Sequence, residues 1–252
     1  MKTTRAPIIA VANEKGGTGK TETSKNLAAS LALAGSRVVG ADCDSQADFS
    51  WGVGVDPDSR PHATFAEAIE HAMSGDPTPS EFLAPTTVEG LRVLPGGKGL
   101  AEIAQPLYQE GAAGEEWVAG ALRMIAERED VDVLVVDCPP SPGPMTIGAL
   151  LVADLTIVVS NARQANSVSG ARTLLDRVAA LTDRGGSGQA RVILQGHDER
   201  RRLHREMAEL LAAEYDLWAV IAHDKAVEES PAVDGGVPLV AHRSRRDLVT
   251  AW

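Results

Sequence analysis

The chain has few aromatic residues and few cysteines. Phe, Trp and Tyr make up 4% of the 252 residues, and Cys43 and Cys138 are the two cysteines. Because neither lies in a Cys-x-x-Cys pair, a disulfide-rich scaffold is excluded, and we expect two reduced thiols, half-buried beside strand ends. The six histidines are scattered, and none lies in a His-Glu-x-x-His motif or pairs with cysteine at zinc spacing. A zinc site is therefore not indicated.

Long apolar runs and an excess of positive charge are also missing. No stretch approaches ~20 apolar residues, the length that a membrane-spanning helix needs. The first residues, Met1–Arg5, lack the apolar core of a signal peptide, so we expect a cytoplasmic protein. The net charge of −11 excludes non-specific wrapping of DNA by the whole surface, and any contact with DNA needs a local basic patch.

The chain does contain a regular alternation of short β-rich runs and longer helical patterns. The predicted strands are Ile8–Ala12, Arg37–Asp42, Gly90–Leu94, Val131–Asp137, Leu155–Ser160, Arg191–Gln195 and Leu217–Ala222. The predicted helices are Lys20–Ala34, Thr64–Met73, Trp117–Glu127, Ser169–Leu181, Arg201–Glu214 and a weak one near Lys225–Glu229. This alternation predicts an α/β fold with a doubly wound, mostly parallel sheet flanked by helices. We expect one domain over residues 1–252, without a helix-turn-helix domain before the first strand.

A glycine-rich segment between the first strand and the first helix carries the strongest chemical signal. Its sequence is Lys15-Gly16-Gly17-Thr18-Gly19-Lys20-Thr21. Glycines let backbone N–H groups close around phosphate oxygens, and the helix N-terminus adds its positive dipole end. Lys20 is expected to reach the β- and γ-phosphates, and the Thr21 hydroxyl to bind Mg²⁺. The alternative is a glycine-rich turn that binds nothing.

One residue departs from the general phosphate-loop pattern, Gly-x-x-x-x-Gly-Lys-Ser/Thr. Glu14 stands where that pattern has its first glycine, and the segment fits the form Lys-Gly-Gly-x-Gly-Lys-Thr instead. On this motif the chain resembles the ParA/MinD family of P-loop ATPases, and within it the ParA/Soj-type partition ATPases. The resemblance implies ATP and Mg²⁺ as cofactors, slow ATP hydrolysis and a dimer formed on binding ATP. It also implies that Lys15 reaches across the dimer to the other subunit's nucleotide.

The second motif, Asp42-Cys43-Asp44-Ser45-Gln46, follows the second predicted strand. Carboxylates at the C-terminal edge of a doubly wound sheet face the nucleotide crevice. The family has Asp-x-Asp-Pro-Gln here, and the resemblance implies that Asp44 orients the attacking water and contacts the metal. Ser45 replaces the proline, which implies a less rigid loop. An aspartate that caps the next turn is the alternative.

The third motif is Asp137-Cys138-Pro139-Pro140, at the end of the most apolar predicted strand. An acidic residue in this position holds Mg²⁺ in P-loop ATPases, usually through water. The two prolines stiffen the segment that is expected to sense the γ-phosphate. A strand-terminal aspartate that forms a turn is the alternative. The expected metal ligands are thus Thr21, Asp44 and Asp137.

The resemblance extends over nearly the whole chain. Gly196–Arg201 with Leu203–Leu211 is similar to a family segment after a late strand, and Ile221–Asp224 to the adenine-side loop. The implied nucleotide contacts are Lys15, Gly16, Gly17, Thr18, Gly19, Lys20, Thr21, Glu22, Gln195, Ala222 and Asp224. Glu22 stands where the family commonly has a second threonine, and we expect it to change the surroundings of the α-phosphate.

Basic residues late in the chain are candidates for DNA binding. They are Arg200, Arg201, Arg205, Lys225 and Arg245. Arg201 and Arg205 share a helix face, so a stripe that grips phosphates is available. Because aromatic stacking residues are not evident, we expect contact with the duplex backbone rather than single strands. The alternative is a solvated helix whose arginines pair with Glu199, Glu206 and Glu209.

The implied function is DNA segregation or positioning by a nucleoid-associated homodimer whose hydrolysis a ParB-like partner stimulates. MinD-like or protein-cargo positioning is one alternative, although membrane cycling needs a C-terminal amphipathic helix and Arg243–Trp252 is short. A small-molecule ATP-dependent enzyme is the other, since P-loops also serve kinases and ligases. An iron–sulfur reductase is disfavoured, because both cysteines fall inside the second and third motifs.

Overall fold

The computed structural model describes residues 5–59, 63–75, 83–128, 130–164 and 166–223, and strands from these ranges form an eight-stranded sheet. The strands are β1 (Ile8–Ala12), β2 (Val38–Asp42), β3 (Ala84–Pro85), β4 (Leu91–Leu94), β5 (Val133–Asp137), β6 (Leu155–Asn161), β7 (Ala190–His197) and β8 (Leu217–Ala222). Their order is β3-β4-β2-β5-β1-β6-β7-β8. Every neighbouring pair is parallel except β3 with β4, which confirms the predicted doubly wound, mostly parallel sheet.

Helices connect the parallel strands and cover both faces of the sheet. They are α1 (Lys20–Leu33), α2 (Asp48–Gly52), α3 (Phe65–Ser74), α4 (Lys98–Gln109), α5 (Ala112–Ala126), α6 (Pro144–Val152), α7 (Ser167–Ala180) and α8 (Arg202–Glu214). A 3₁₀ turn, Leu181–Arg184, follows α7. Within the described ranges, no helix has the length and apolar character needed to cross a membrane.

Two apolar clusters hold the layers together, one on each face of the sheet. In β5, Leu134 and Val136 belong to the larger cluster, and Val133 and Val135 to the smaller. Successive strand residues point to opposite faces, so a strand buried on both sides is apolar throughout. Burying each large aliphatic side chain contributes about 1.5–3 kcal/mol. This explains why the run Val131–Asp137 was recognisable as an interior strand.

Several elements differ from the sequence prediction. The fully buried α6 was not predicted, because a helix that is apolar all round has no amphipathic period. The helix α4 was also missed; it contains Pro106, which disfavours a helix interior. The predicted helix at Trp117 begins earlier, at Ala112. By contrast, Thr64 forms the capping box with Glu67 that starts α3, close to the predicted boundary.

The carboxyl ends of the central strands meet at one edge of the sheet. The register pairs Val11 with Asp137 and Asp42 with Asp137. The segments that follow β1, β2 and β5 therefore leave the sheet side by side. These are the three segments in which the sequence motifs lie, so the fold brings all three motifs to one place.

Candidate functional site

The loop between β1 and α1 has the backbone shape of a phosphate-binding loop. Gly17 and Gly19 adopt positive φ angles of 73° and 91°, a conformation that is inexpensive for glycine alone. Gly19 precedes the first turn of α1, and among the described residues no side chain caps that end of the helix. The first backbone N–H groups of α1 are therefore available to an anion.

Lys20 places a buried ammonium group inside this loop. The residue is 6% exposed, and Nζ donates a hydrogen bond to the carbonyl oxygen of Lys15 at 2.9 Å. Burial lowers the pKa of Lys20, and the charges of Asp137 and Asp44 act in the opposite direction. Because the acceptor of this buried ammonium group is an uncharged carbonyl oxygen, an anionic ligand such as a polyphosphate would stabilise its charge.

Asp137 lies opposite Lys20, at the end of β5. Its Oδ1 accepts a hydrogen bond from Ser24 Oγ at 2.7 Å, and the Thr21 hydroxyl also hydrogen-bonds to this carboxylate. Burial raises the pKa of Asp137 to about 6, although Ser24, Thr21 and Lys20 oppose that rise. Hydroxyl and carboxylate oxygens are the ligands that Mg²⁺ prefers. Thr21 and Asp137 therefore fit a magnesium ion beside a polyphosphate.

The segment after β2 is organised around a carboxylate to which the sequence assigned no role. Asp42 is fully buried; its Oδ2 accepts hydrogen bonds from Ser50 N at 2.9 Å and Ser50 Oγ at 2.7 Å. Its Oδ1 accepts from Asp44 N at 3.1 Å. Burial, together with the nearby charge of Asp137, raises the pKa of Asp42 to about 7. Asp42 thus fixes the backbone that carries Asp44.

Asp44 itself is half-buried and close enough to the loop for its charge to act on both Lys20 and Asp137. Its Oδ1 accepts from Gln46 N at 3.0 Å, and its carbonyl oxygen accepts from Gly97 N at 3.2 Å. These bonds hold the segment in place with Ser45 where the family has proline. The prediction that Ser45 loosens the segment stays a prediction.

Side chains from the other half of the sheet form the outer wall of the loop. The carbonyl oxygen of Gly17 accepts hydrogen bonds from Gln164 Nε2 at 3.0 Å and from Asn161 Nδ2 at 3.5 Å. Asn13 accepts from Lys15 N at 3.0 Å and donates to the carbonyl oxygen of Val159 at 2.7 Å. The loop is therefore tied to β6 and to the turn that follows it.

The two residues at the start of the loop make contacts with α7. Glu14, which replaces the first glycine of the general pattern, forms an ion pair with Arg177 at 2.7 Å. The exposed Lys15 passes so close to Gly170 that a Cβ atom there would lie 2.8 Å from Lys15 Cγ. The side chain predicted to reach a second subunit is thus on the surface.

Two of the predicted nucleotide contacts, Gln195 and Ala222, lie in different places. Gln195, in β7, donates to the carbonyl oxygen of Gly19 at 3.2 Å and to the Thr23 hydroxyl. Ala222, at the end of β8, lines an open cleft of about 630 Å³ together with His197 and Asp198. Gln195 therefore contacts the phosphate loop, whereas Ala222 belongs to the neighbouring cleft. Asp224 lies outside the described residues.

The predicted basic patch lies just before and along the first turn of α8. Arg200 is 90% exposed and makes a two-point contact with Asp198, at 3.0 and 3.1 Å. Arg201 Nε lies 3.8 Å from the same carboxylate, and Arg205 donates to the carbonyl oxygen of Glu199. Of the carboxylates expected to pair with arginines in the alternative interpretation, Glu206 does so, with Arg202 at 2.6 Å. Arg200 and Arg201 instead contact Asp198, which was not predicted. Lys225 and Arg245 lie outside the described residues.

Known proteins resemble the chain over most of its length. A family described as an AAA domain matches residues 6–189. The sporulation initiation inhibitor protein Soj of Bacillus subtilis is 34% identical over 151 residues, 60% of this chain and 56% of that protein. The chromosome-partitioning ATPase Soj of Thermus thermophilus is 31% identical over 235 residues, 89% of this chain and 84% of that protein.

The chain belongs to the ParA/MinD family of P-loop ATPases. It spans about half the length of several curated relatives, including 56% of the Bacillus subtilis protein and 50% of the ParA protein of Myxococcus xanthus. Among solved structures, a cobyrinic acid a,c-diamide synthase from Mycobacterium smegmatis with bound ADP and magnesium is 27% identical. It superposes with a TM-score of 0.75 over 90% of this chain and 91% of that one.

Directly after the Gly-Lys-Thr sequence, this ParA/MinD-type chain has a charged residue, Glu22. The Glu22 carboxylate points along the flank of α1, where Lys25 Nζ lies 2.8 Å from Oε2. Asn26 Nδ2 donates to Oε1 at 2.5 Å. The Glu22 side chain therefore contacts α1 itself, and the predicted contact of Glu22 with nucleotide stays a prediction.

Several residues that support the motifs of this ParA/MinD-type chain were not predicted from the sequence. Ser24 could have been found, because it lies three residues after Thr21 on the same helix face. Ser50, Asn13 and Gln164 carry no local signal, since each acts across the fold. The cysteines were predicted to be half-buried, and this was wrong: both are fully buried, and burial raises both thiol pKa values.

Proposed function

We propose that this chain binds ATP with Mg²⁺ and hydrolyses the ATP slowly, as an ATP-dependent switch of the ParA type. The observation that carries the proposal is the meeting of Lys20, Thr21 and Asp137 at the open N-terminus of α1. Positive charge, backbone donors and hard oxygen ligands together are the components that phosphoryl transfer to water requires. The likeness to family members supports the same assignment.

The roles of the residues follow from their positions. Lys20 and the backbone N–H groups of the loop hold the phosphates and stabilise negative charge on the transferred group. Thr21 and Asp137 would hold Mg²⁺, which would supply positive charge against the phosphates. Asp44 orients the attacking water from the segment that Asp42 fixes. No protein nucleophile is needed, because water attacks the phosphorus directly.

We further propose that ATP closes a homodimer and that the dimer binds DNA through the arginines at the start of α8. Four arginines and three acidic residues lie between Asp198 and Glu206, so one patch carries little net positive charge. Exposed ion pairs of this kind contribute about 0–1 kcal/mol, so that DNA phosphates can displace Asp198 from Arg200. Two weak patches joined in a dimer bind more tightly than either alone.

In this proposal the dimer associates with the nucleoid, and a ParB-like partner stimulates hydrolysis and releases the DNA. The named relatives that act in chromosome partitioning support this part of the proposal.

Nucleotide binding and hydrolysis form the first test. We expect Mg²⁺-dependent binding of ATP and slow release of phosphate by the purified chain, and loss of both in Lys20→Ala. Asp44→Ala should retain ATP binding and lose hydrolysis. The matched control is Lys98→Ala, which removes an exposed lysine paired with Asp58. Phosphate release that persists in Lys20→Ala at the wild-type rate would contradict the assignment of the site.

Co-sedimentation with DNA tests the second part. We expect binding with ATP but not with ADP, and weaker binding as salt rises, because phosphate contacts release counterions. Arg201→Glu with Arg205→Glu should abolish binding and leave basal hydrolysis intact. Charge reversal of Arg123, an exposed arginine on α5, is the control and should have no effect. Binding that is equally strong in the double variant would refute the patch.

A small-molecule ATP-dependent enzyme is the second candidate. The observation that favours it is the 27% identity to the Mycobacterium smegmatis cobyrinic acid a,c-diamide synthase over nine tenths of both chains. If this candidate is correct, cobyrinic acid added to the protein with ATP and ammonia gives an amide product in addition to ADP and phosphate. Mass spectrometry of such a reaction separates the two candidates, since the switch forms no such product.

A further inference from the structure

A buried lysine, Lys25, lies in the first two turns of the helix that follows the phosphate loop. Its side chain is 8% exposed, which is unusual because lysine is almost never fully buried unless it is paired. Its aliphatic stem lies against Gly52, the last residue of α2, and a Cβ atom at Gly52 would lie 2.8 Å from Nζ. The missing side chain of Gly52 therefore leaves room for the Lys25 ammonium group.

The partner of Lys25 is Glu22, which is 16% exposed. Nζ lies 2.8 Å from Glu22 Oε2, and Asn26 Nδ2 lies 2.5 Å from Oε1. Each carboxylate oxygen is thus bound by a group one turn further along α1. This geometry holds the negative charge on the side of the helix and away from the loop.

The position of Glu22 explains why such a partner matters. Glu22 is the third residue of α1, in the turn whose N–H groups a phosphate would use. A carboxylate in this turn is favourable next to a free helix N-terminus, but it repels a bound polyphosphate at close range. An uncompensated Glu22 would therefore weaken the binding of the anion that the loop is built to hold.

We propose that Glu22 and Lys25 form a charge-compensating pair that sets the affinity of the phosphate loop for nucleotide. Lys25 cancels the charge that Glu22 brings to the first turn of α1, so that the loop binds ATP as though this position were neutral. Lys25 is a positioning residue, because it acts through Glu22 rather than on the phosphates. The inference rests on the proposed nucleotide site.

A charge series tests the pair by measuring the Kd for Mg·ATP at low and high salt. Lys25→Met should weaken binding roughly tenfold at low salt, the change expected for one unit charge acting over a few ångströms. Glu22→Gln should tighten binding by about threefold or more, because Lys25 is then uncompensated. The double variant, which has neither charge, should return to within about twofold of the wild type. Because both side chains are largely buried, these differences should shrink only partly at high salt.

The control is the exposed pair Arg123 and Glu116 on α5, with 3.4 Å between its charged atoms. Arg123→Met, Glu116→Gln and their double variant should leave the Kd unchanged. Thermal melts of every variant report folding separately from affinity. If Lys25→Met does not fold, Glu22→Gln still decides, because unchanged or weaker ATP binding in that variant overturns the proposal.

A purely structural role gives a different pattern. In that case Lys25→Met lowers the melting temperature, and the loss of ATP affinity persists in the double variant, which also overturns the proposal. Failure of the site itself is distinct: the wild-type protein would then not bind ATP, or Lys20→Ala would bind it as well as the wild type does. A flat charge series in a protein that binds ATP refutes only the pair.

Discussion

Replacing Asp42 by asparagine should change how the stability of the ligand-free protein depends on pH. Asp42 is fully buried, accepts two hydrogen bonds from Ser50 and one from Asp44, and lies near Asp137. Burial is the main cause of its raised pKa of about 7. Asparagine has the same shape, and its amide oxygen can accept the bonds from Ser50, but its amide nitrogen cannot accept the bond from Asp44 N. Because that bond is lost at every pH, the titration is measured by the slope of stability with pH and not by the absolute stability.

The direction of the effect follows from the two pKa values. In the unfolded chain the carboxyl loses its proton near pH 4, whereas in the folded protein it keeps the proton until about pH 7. The folded state therefore binds more protons between these values, and the free energy of unfolding falls as the pH rises through this window. At about 1.4 kcal/mol per pH unit, the loss is up to roughly 4 kcal/mol.

Urea unfolding followed by circular dichroism at pH 5, 6, 7 and 8, with EDTA and without nucleotide, measures this difference. From pH 5 to pH 7 the wild type should lose about 2 kcal/mol more than Asp42→Asn does. The control is Asp130→Asn, because Arg128 and Arg92 hold the pKa of Asp130 at about 2. A carboxyl with a lowered pKa loses its contribution only under acidic conditions, so this variant should keep the wild-type slope. Parallel curves for Asp42→Asn and the wild type would refute the argument.

Three further substitutions test the packing of the site and of the core. Ser24→Ala removes the hydroxyl that donates to Asp137 at 2.7 Å. In a magnesium titration this variant should bind ATP about tenfold or more weakly than the wild type. An unchanged titration would exclude a role for Ser24 in holding Asp137. Gly19 has a φ of 91°, and in Gly19→Ala the added Cβ atom would clash with the Gln195 side chain. This variant should show no ATP binding in calorimetry. Wild-type affinity would contradict the loop geometry. Leu122→Ala opens a cavity beneath the sheet and should cost about 2–5 kcal/mol in urea unfolding, whereas a cost under 1 kcal/mol would show that this packing is loose.

The parts of the fold that the sequence predicted correctly are those with a local signature. The strand Leu217–Ala222 was predicted with its observed boundaries, and Thr64 with Glu67 marks the start of α3 by a capping box. The helix Pro144–Val152 was missed, because it is buried on every side and its apolar residues show no period. Its existence depends on packing between α5 and the sheet, which only the tertiary structure supplies.

The candidate site divides in the same way. Each of the three motifs, the loop Lys15–Thr21 and the two aspartate motifs that follow β2 and β5, is a continuous stretch of sequence. The motifs could therefore be recognised without the structure. The supporting contacts join distant residues, such as Ser24 with Asp137 and Gln164 with Gly17. These contacts arise from the strand order of the sheet, and a single sequence contains no record of that order.

The arrangement of charge at this edge of the sheet links ligand binding to stability. Lys20, Asp42 and Asp137 are all buried. Burial lowers the pKa of Lys20 and raises the pKa values of Asp42 and Asp137, which favours the neutral form of each group. Removing such groups from water is costly, and their mutual contacts compensate for it only in part. An anion at Lys20 and a cation at Asp137 supply the missing opposite charges, so their binding should stabilise this edge of the sheet. Asp42 also holds the backbone that carries Asp44, the residue that we propose positions the attacking water. We therefore infer that binding of nucleotide and metal at the loop orders the Asp44 segment.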